Sequence, residues 1–134
     1  FEIRGNDFFM GDVRSADITS NCTTGYHELP IAVLIGPVTS SSGTITAIAF
    51  KNRPHTQFIG EATADGYSTG NGYYVFGENL TMNLATTYFG DRTGVVYKTV
   101  VKPDVVISGK DEFVNLSADR KVNYALMWLK SIQY

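Results

Sequence analysis

The sequence predicts an α/β fold with a mixed sheet, and three observations carry that prediction. Val, Ile, Thr and the aromatic residues fill 52 of the 134 positions, which favours strands as the commonest element. The apolar run Ile31-Ala-Val-Leu-Ile35, bounded by Pro30 and Gly36, suits a strand buried on both faces, as in the interior of a parallel sheet. Apolar residues near the C-terminus then recur at helical spacing, so helices are interleaved with the strands.

Taken in order, residues 8–19 read as a hairpin punctuated by Gly11 and Asp12, with Gly5, Asn6 and Asp7 belonging to the same region, and residues 20–28 as a polar loop. Residues 30–36 form the buried strand. After Gly36-Pro37 the pattern changes. Ile45, Ile48 and Ala49, with Ala47 and Phe50, recur at helical spacing until Asn52-Arg53-Pro54, which predicts a helix over 41–51 with Ser41 in its first turn. Residues 57–61 make a short strand and 64–72 a glycine-rich loop. Residues 73–76 and 80–89 read as antiparallel strands joined at Gly77-Glu78-Asn79, and 95–101 as extended structure ending before Pro103. The last element is a helix running almost to Tyr134, with Ser117 as N-cap, Asp119 in the first turn, and Ala118, Val122, Ala125, Leu129 and Ile132 on one face.

The length is that of one domain, so residues 1–134 are read as a single unit: a hairpin and loop over 1–28, then a core over 29–134. Cys22 is the only cysteine and cannot form an intramolecular disulfide. Eleven Lys and Arg against thirteen Asp and Glu give a net charge of −2 with no block of like charge, which removes the electrostatic case for nucleic acid as a partner. No apolar run approaches the ~20 residues that span a bilayer. Phe1 opens directly onto charged residues, so no leader is expected in the chain, and the missing initiator Met points to a processed product whose true N-terminus lies upstream.

The stretch with chemical content is Gly36-Pro-Val-Thr-Ser-Ser-Ser-Gly43, between a strand and a helix. A serine at such a junction has its hydroxyl beside the unpaired N–H groups and positive dipole end of the helix, the surroundings that an oxyanion requires in acyl transfer. Thr39, Ser40, Ser41 and Ser42 could equally serve only as helix caps.

Three segments together resemble the C-terminal processing, or tail-specific, serine peptidases. They are Val33-Leu-Ile-Gly-Pro-Val-Thr-Ser-Ser-Ser-Gly43, Phe58-Ile-Gly-Glu-Ala-Thr63 and Val101-Lys-Pro-Asp-Val-Val106. In that family a strand leads into a T-A-S-S-G-E or S-A-S-A-S-E turn, a strand ending in I-G-E-x-T follows the helix, and an I-x-P-D-x-x-V segment closes the sheet. The terminal helix around Ala125-Leu-Met-Trp-Leu129 also matches, so the resemblance covers residues 29–134. It implies a core of the ClpP/crotonase type, a catalytic nucleophile at Ser41 and an oxyanion contact from the Ser42 N–H. It implies further a peptide or protein substrate, an extracytoplasmic location in the periplasm or cell envelope, no cofactor, and room for a homo-oligomer.

Departures from the pattern matter as much. The lysine that many members place 25 positions after the serine is Gly66 here, and no lysine lies between Lys51 and Lys98. Residues 60–69 instead resemble the branch of the nisin-resistance peptidase, in which a histidine from the earlier half of the protein acts as base. That implies a base, and a docking partner, in an upstream half. Thr44 replaces the usual Glu. Arg4-Gly5-Asn6 lacks the double glycine of the family's D-L-R-x-N-x-G-G segment, so the second oxyanion donor is also expected upstream. His55, in the turn after the helix, is expected ~15 Å from Ser41 along that helix. His27, at the other end of the buried strand, is expected ~20 Å away. Neither is expected to serve. The competing reading is a non-catalytic peptide-binding or scaffold module that kept the fold and lost the dyad.

Other constellations carry less. Cys22, His27 and Glu28 are three potential metal ligands crowded on one loop without a spaced partner. Residues 60–72 lack the Gly-Lys-Ser/Thr of a phosphate-binding loop. Asn21, Asn79 and Asn115 head glycosylation consensus triplets that are expected to be coincidental in a bacterial source. Tyr67, Tyr73, Tyr74 and Tyr88 fit either a peptide groove or aromatic strand packing.

Overall fold

Two sheets divide the chain in the computed structural model, which describes residues 2–4, 7–10, 12–17 and 28–132. The first sheet is parallel, with β4 (Ile31–Ile35), β5 (Thr56–Gly60) and β9 (Val105–Val106) in the order β4-β5-β9. Helix α1 (Ser42–Phe50) makes the crossover from β4 to β5, as a parallel pair requires. The second sheet is mainly antiparallel, ordered β3-β2-β1-β7-β6. It consists of β1 (Glu2–Arg4), β2 (Asp7–Met10), β3 (Val13–Asp17), β6 (Thr69–Phe76) and β7 (Leu80–Gly90), with β8 (Val96–Tyr97) on β7. A 3-10 turn, Leu116–Ala118, precedes the terminal helix α2 (Arg120–Ser131). The mixed α/β class, the strand-turn-helix junction and the terminal helix are all present.

Burial follows the strand alternation. Ile35 of β4 and Phe58 of β5 join Ala47 and Ile48 of α1 and Val101 in one buried cluster, with Val33 packed against it. On the opposite face Ile59 is fully buried and α2 covers the sheet. Asp104 closes the far side: Phe58 N–H donates to its carboxylate at 2.7 Å, and its own N–H donates to the Phe58 carbonyl at 2.8 Å. Each such bond between a backbone N–H and a carboxylate is charge-assisted, which extends a very short strand pairing.

Several elements differ from the sequence reading for identifiable reasons. The strand expected to be interior is an edge strand among the described residues, and Leu34 is 42% exposed. Its apolar run marks one face packed on α1 and one half-covered by α2. The glycine-rich segment is not a loop to residue 72, because β6 begins at Thr69 and pairs Gly70 with Thr87 and Gly72 with Leu84. The Tyr74 ring lies over Gly72, where a Cβ would come within 2.8 Å of it, so a neighbour supplies the packing that glycine lacks. Of residues 95–101 only Val96 and Tyr97 pair as strand. The N-cap of α2 is Asp119, not Ser117: its carboxylate accepts from the N–H groups of Lys121 and Val122. A charged oxygen with two such donors is the stronger cap.

The β6–β7 ribbon stands out from this frame. Register sets Tyr74 opposite Met82, Phe76 opposite Leu80 and Gly72 opposite Leu84, so one face is apolar, while Tyr73–Asn83 and Val75–Thr81 make the other face more polar. Both faces are largely solvent-exposed. At its base Asp91 is fully buried and accepts from Asn52 Nδ2 at 2.7 Å, Tyr97 OH at 2.8 Å, and Thr93 through both N–H and Oγ1. Burial raises the pKa of this carboxyl, but the bonds from Thr93, Tyr97 and the backbone outweigh it and hold the group below the usual carboxylate range. Arg92 adds a bond to the Ala49 carbonyl at 3.1 Å, so the end of α1 and the root of the ribbon form one joint.

Candidate active site

The site is built at the point where β4 ends. Pro37 occupies the second position of a turn closed by Thr39 N–H to the Gly36 carbonyl at 2.8 Å, while Gly36 N–H donates to Thr39 Oγ1 at 3.1 Å. The Thr39 carbonyl is held from two sides, by Ala64 N–H at 3.0 Å and by the buried Thr44 hydroxyl at 3.2 Å. Thr44, which stands where the family pattern has Glu, therefore braces the turn. Glu61 N–H bonds the Ile35 carbonyl at 3.0 Å, and Gly60 makes room for it: at φ 124 its Cβ would lie 2.1 Å from that carbonyl oxygen.

Ser41 follows as the N-cap, one position before the helix and not in its first turn as the apolar spacing suggests. Its backbone sits at φ 49 and ψ −123, a region that L residues other than glycine adopt only at a cost of ~1–3 kcal/mol. The side chain is exposed and takes no capping bond, so the strain is not repaid by the role a serine usually has at a helix start. Ser42 is the first helical residue, and its N–H has no partner among the described residues. No acidic side chain lies in the first turn to offset the positive end of the helix dipole. A strained serine with an uncapped hydroxyl thus stands next to an unpaired N–H at a positive helix end, surroundings that can hold a developing negative charge.

The remaining sequence candidates fall elsewhere. His55 is at the foot of β5, where its carbonyl accepts from Ile31 N–H. Ile31 pairs with Thr56 and Ile35 with Gly60, so a strand length of ~16 Å separates His55 from the end of the sheet that carries Ser41. Gly66 lies in an exposed turn at φ 77. Tyr73, Tyr74 and Tyr88 are on the ribbon and Tyr67 precedes it, each more than 40% exposed. Cys22 and His27 lie outside the described residues, and among those described no group of three His, Cys, Asp or Glu is placed to hold a metal ion.

One residue escapes the sequence reading. Lys121 reaches from α2 to the turn and is only 5% exposed. Its Nζ donates to Asp111 Oδ1 at 2.5 Å and to the Gly109 carbonyl at 3.3 Å, with Glu61 Oε2 at 3.7 Å. Burial works against the charge, but Asp111 and Glu61 raise the pKa above the ordinary lysine value, so the amine stays protonated and is no general base. The available signal was its spacing: Lys121 is four residues before the buried Ala125, on the inner face of the helix.

The sequence profile of peptidase family S41 matches residues 10–107. The chain belongs to peptidase family S41. It is 31% identical over 105 residues to the nisin-resistance protein of Lactococcus lactis subsp. lactis, which covers 78% of this chain and 29% of that relative. Among solved structures it resembles a lipoprotein from Streptococcus agalactiae, with a TM-score of 0.60 and 32% identity over 76% of this chain and 32% of that one. The S41 chain thus spans less than a third of the length of either relative. The β4 junction, β5 with the Glu61 that follows it, and β9 all fall within the S41 match.

Proposed function

We propose that this chain carries the nucleophile of a serine peptidase at Ser41 and that the general base comes from a segment outside the chain. The observation that supports the reading best is the backbone of Ser41, strained at φ 49 with an uncapped hydroxyl. In the reaction, Ser41 Oγ attacks the peptide carbonyl and its proton passes to the base. The Ser42 N–H bonds the oxyanion, and the C–N bond then breaks as the base returns the proton to the leaving amine. Water cleaves the resulting ester by the same route. The peptide would lie extended along the edge of the ribbon strand β6, which has no neighbour on its outer side among the described residues. The edge of β4, which is also without a neighbour on its outer side among the described residues, would receive the segment that brings the base. It is flanked by a groove of about 160 Å³ lined by Leu34, Val38, Phe113, Leu116 and Val122. Its relationship to a lipoprotein supports work at the cell envelope.

The second reading, a peptide-binding module without catalysis, is favoured by one observation. His55 lies at the wrong end of the sheet and Lys121 is charged and paired, so neither can accept the proton. The two readings separate in a peptidase assay with a serine-directed fluorophosphonate as probe. The 134-residue chain alone is expected to turn over ~10²–10⁴-fold more slowly than the full-length protein, because the base is lost. Labelling of the full-length protein at Ser41, abolished in Ser41→Ala, supports the enzyme. Peptide binding without labelling or turnover in the full-length protein supports the module.

A further inference from the structure

A cation held beneath the nucleophile turn calls for an explanation, because burying a lysine is costly and this one does no proton transfer. Lys121 touches three separate segments. Its Nζ pairs with Asp111 and bonds the Gly109 carbonyl on the loop before α2, and it lies 3.7 Å from Glu61 at the end of β5. A Cβ on Gly36 would be 3.7 Å from that nitrogen, and one on Gly60 would be 3.4 Å from Lys121 Cδ, so the side chain packs directly on the two glycines where β4 and β5 end.

Glu61 leads on toward Ser41. It heads the strap of residues 61–64, which is fastened at one end by Glu61 N–H to Ile35 and at the other by Ala64 N–H to Thr39, two residues before the serine. We propose that Lys121 is a positioning residue for Ser41, clamping Glu61 so that the strap holds the Thr39 carbonyl and fixes the entry of the chain into α1. This rests on the reading of Ser41 as nucleophile only for its effect on catalysis; the clamp itself is a statement about the strap. The charge explains why a lysine serves. A neutral side chain could fill the space but would leave Asp111 and Glu61 facing each other without a counter-ion.

Amide hydrogen exchange on the chain tests the clamp without reference to activity. Lys121→Met is expected to speed exchange of the Glu61 and Ala64 amides about tenfold or more relative to those of Phe58 and Ile59 in the same strand region. Glu61→Gln, at a partly exposed site that folding tolerates, is expected to do the same, and the double variant should add little. Unchanged exchange at 61 and 64 in Glu61→Gln, or acceleration spread evenly over 58–64, would overturn the clamp. In the full-length protein, Lys121→Met and Glu61→Gln should lower kcat by up to ~10²-fold with KM changed less than about twofold, since a displacement near 1 Å at a reacting group has that effect. Lys121→Arg should restore part of the rate by keeping the cation. If Ser41→Ala leaves hydrolysis intact, the nucleophile assignment fails while the exchange result still decides the clamp. If exchange responds and kcat does not, Lys121 braces the fold and does not position the serine.

Discussion

Replacing Ser41 by glycine should make the protein more stable, and the size of the gain follows from the backbone. At φ 49 and ψ −123 a residue with a Cβ bears ~1–3 kcal/mol of strain that glycine does not. Against this, glycine adds ~0.5–1 kcal/mol of unfolded-state entropy to be lost on folding. The side chain contributes nothing to the balance, because it is exposed and takes no capping bond. A net stabilisation of ~0.5–2 kcal/mol remains, which for a domain of this size raises Tm by roughly 2–8 °C. Thermal melts followed by circular dichroism should compare Ser41→Gly with two controls. Ser41→Ala keeps the Cβ and should stay within ~0.5 kcal/mol of the parent. Ser42→Gly, one residue on and inside the helix, should lose up to ~1 kcal/mol. A Tm for Ser41→Gly that falls alongside Ser42→Gly would refute the strain argument, and with it the physical ground for singling out Ser41 from its neighbours.

Other substitutions probe separate parts of the frame. Gly60→Ala places a methyl 2.1 Å from the Ile35 carbonyl at φ 124 and should cost more than ~3 kcal/mol, read as loss of soluble protein or a collapse of Tm; an unchanged Tm would contradict the close approach of β4 and β5. Asp91→Asn should cost ~1–3 kcal/mol at pH 7 in urea unfolding. Because the folded-state pKa of Asp91 is lowered, its stabilisation is complete above the unfolded value near 4 and disappears as pH falls through the folded value. The gap between parent and variant should therefore close on acidification, and a gap independent of pH would remove the ionised carboxylate as its source. Phe76→Ser and Leu80→Ser, at positions 50% and 61% exposed, should leave Tm within about 2 °C; a larger drop would mean that the ribbon face is covered in solution.

The parts of this fold legible in the sequence were those set by local pattern. Pro30 and Gly36 bound β4 to within a residue, and Asn52-Arg53-Pro54 stop α1 because proline cannot continue a helix. What the pattern could not show was depth. An apolar run reads alike whether a strand is central or at the edge, so only the partners of β4 could reveal its exposed side. Gly70-Asn71-Gly72 reads as a loop because glycine weakens strands, and the compensating ring of Tyr74 is supplied by a neighbour two residues away. At the site, the junction holding Ser41 was legible, but its positive φ was not, since that conformation depends on how Ala64 and Thr44 grip Thr39 from distant positions. Lys121 was obscured for a similar reason. Its carboxylate partners lie 10 and 60 residues away, and only the packed fold brings them together.

The β6–β7 ribbon and the parallel sheet differ in how far apart along the chain their partners lie. Every pair in the β6–β7 ribbon closes through the same short turn, from Phe76↔Leu80 outward. The parallel sheet must instead bring Ile31 to Thr56 and Ile59 to Val105, across 25 and 46 positions. Hairpins form in ~1–10 μs, whereas pairings of long sequence separation must first overcome loop closure and come later. Stopped-flow refolding with probes in each part should therefore show the ribbon ordered while β4, β5 and β9 are still apart. During that interval Tyr74, Phe76, Leu80, Met82 and Leu84 are displayed on a strand pair with an open edge, the kind of surface that drives transient association during refolding. Refolding yield should thus fall as protein concentration rises, and charged substitutions on that face should recover it without altering the folded protein.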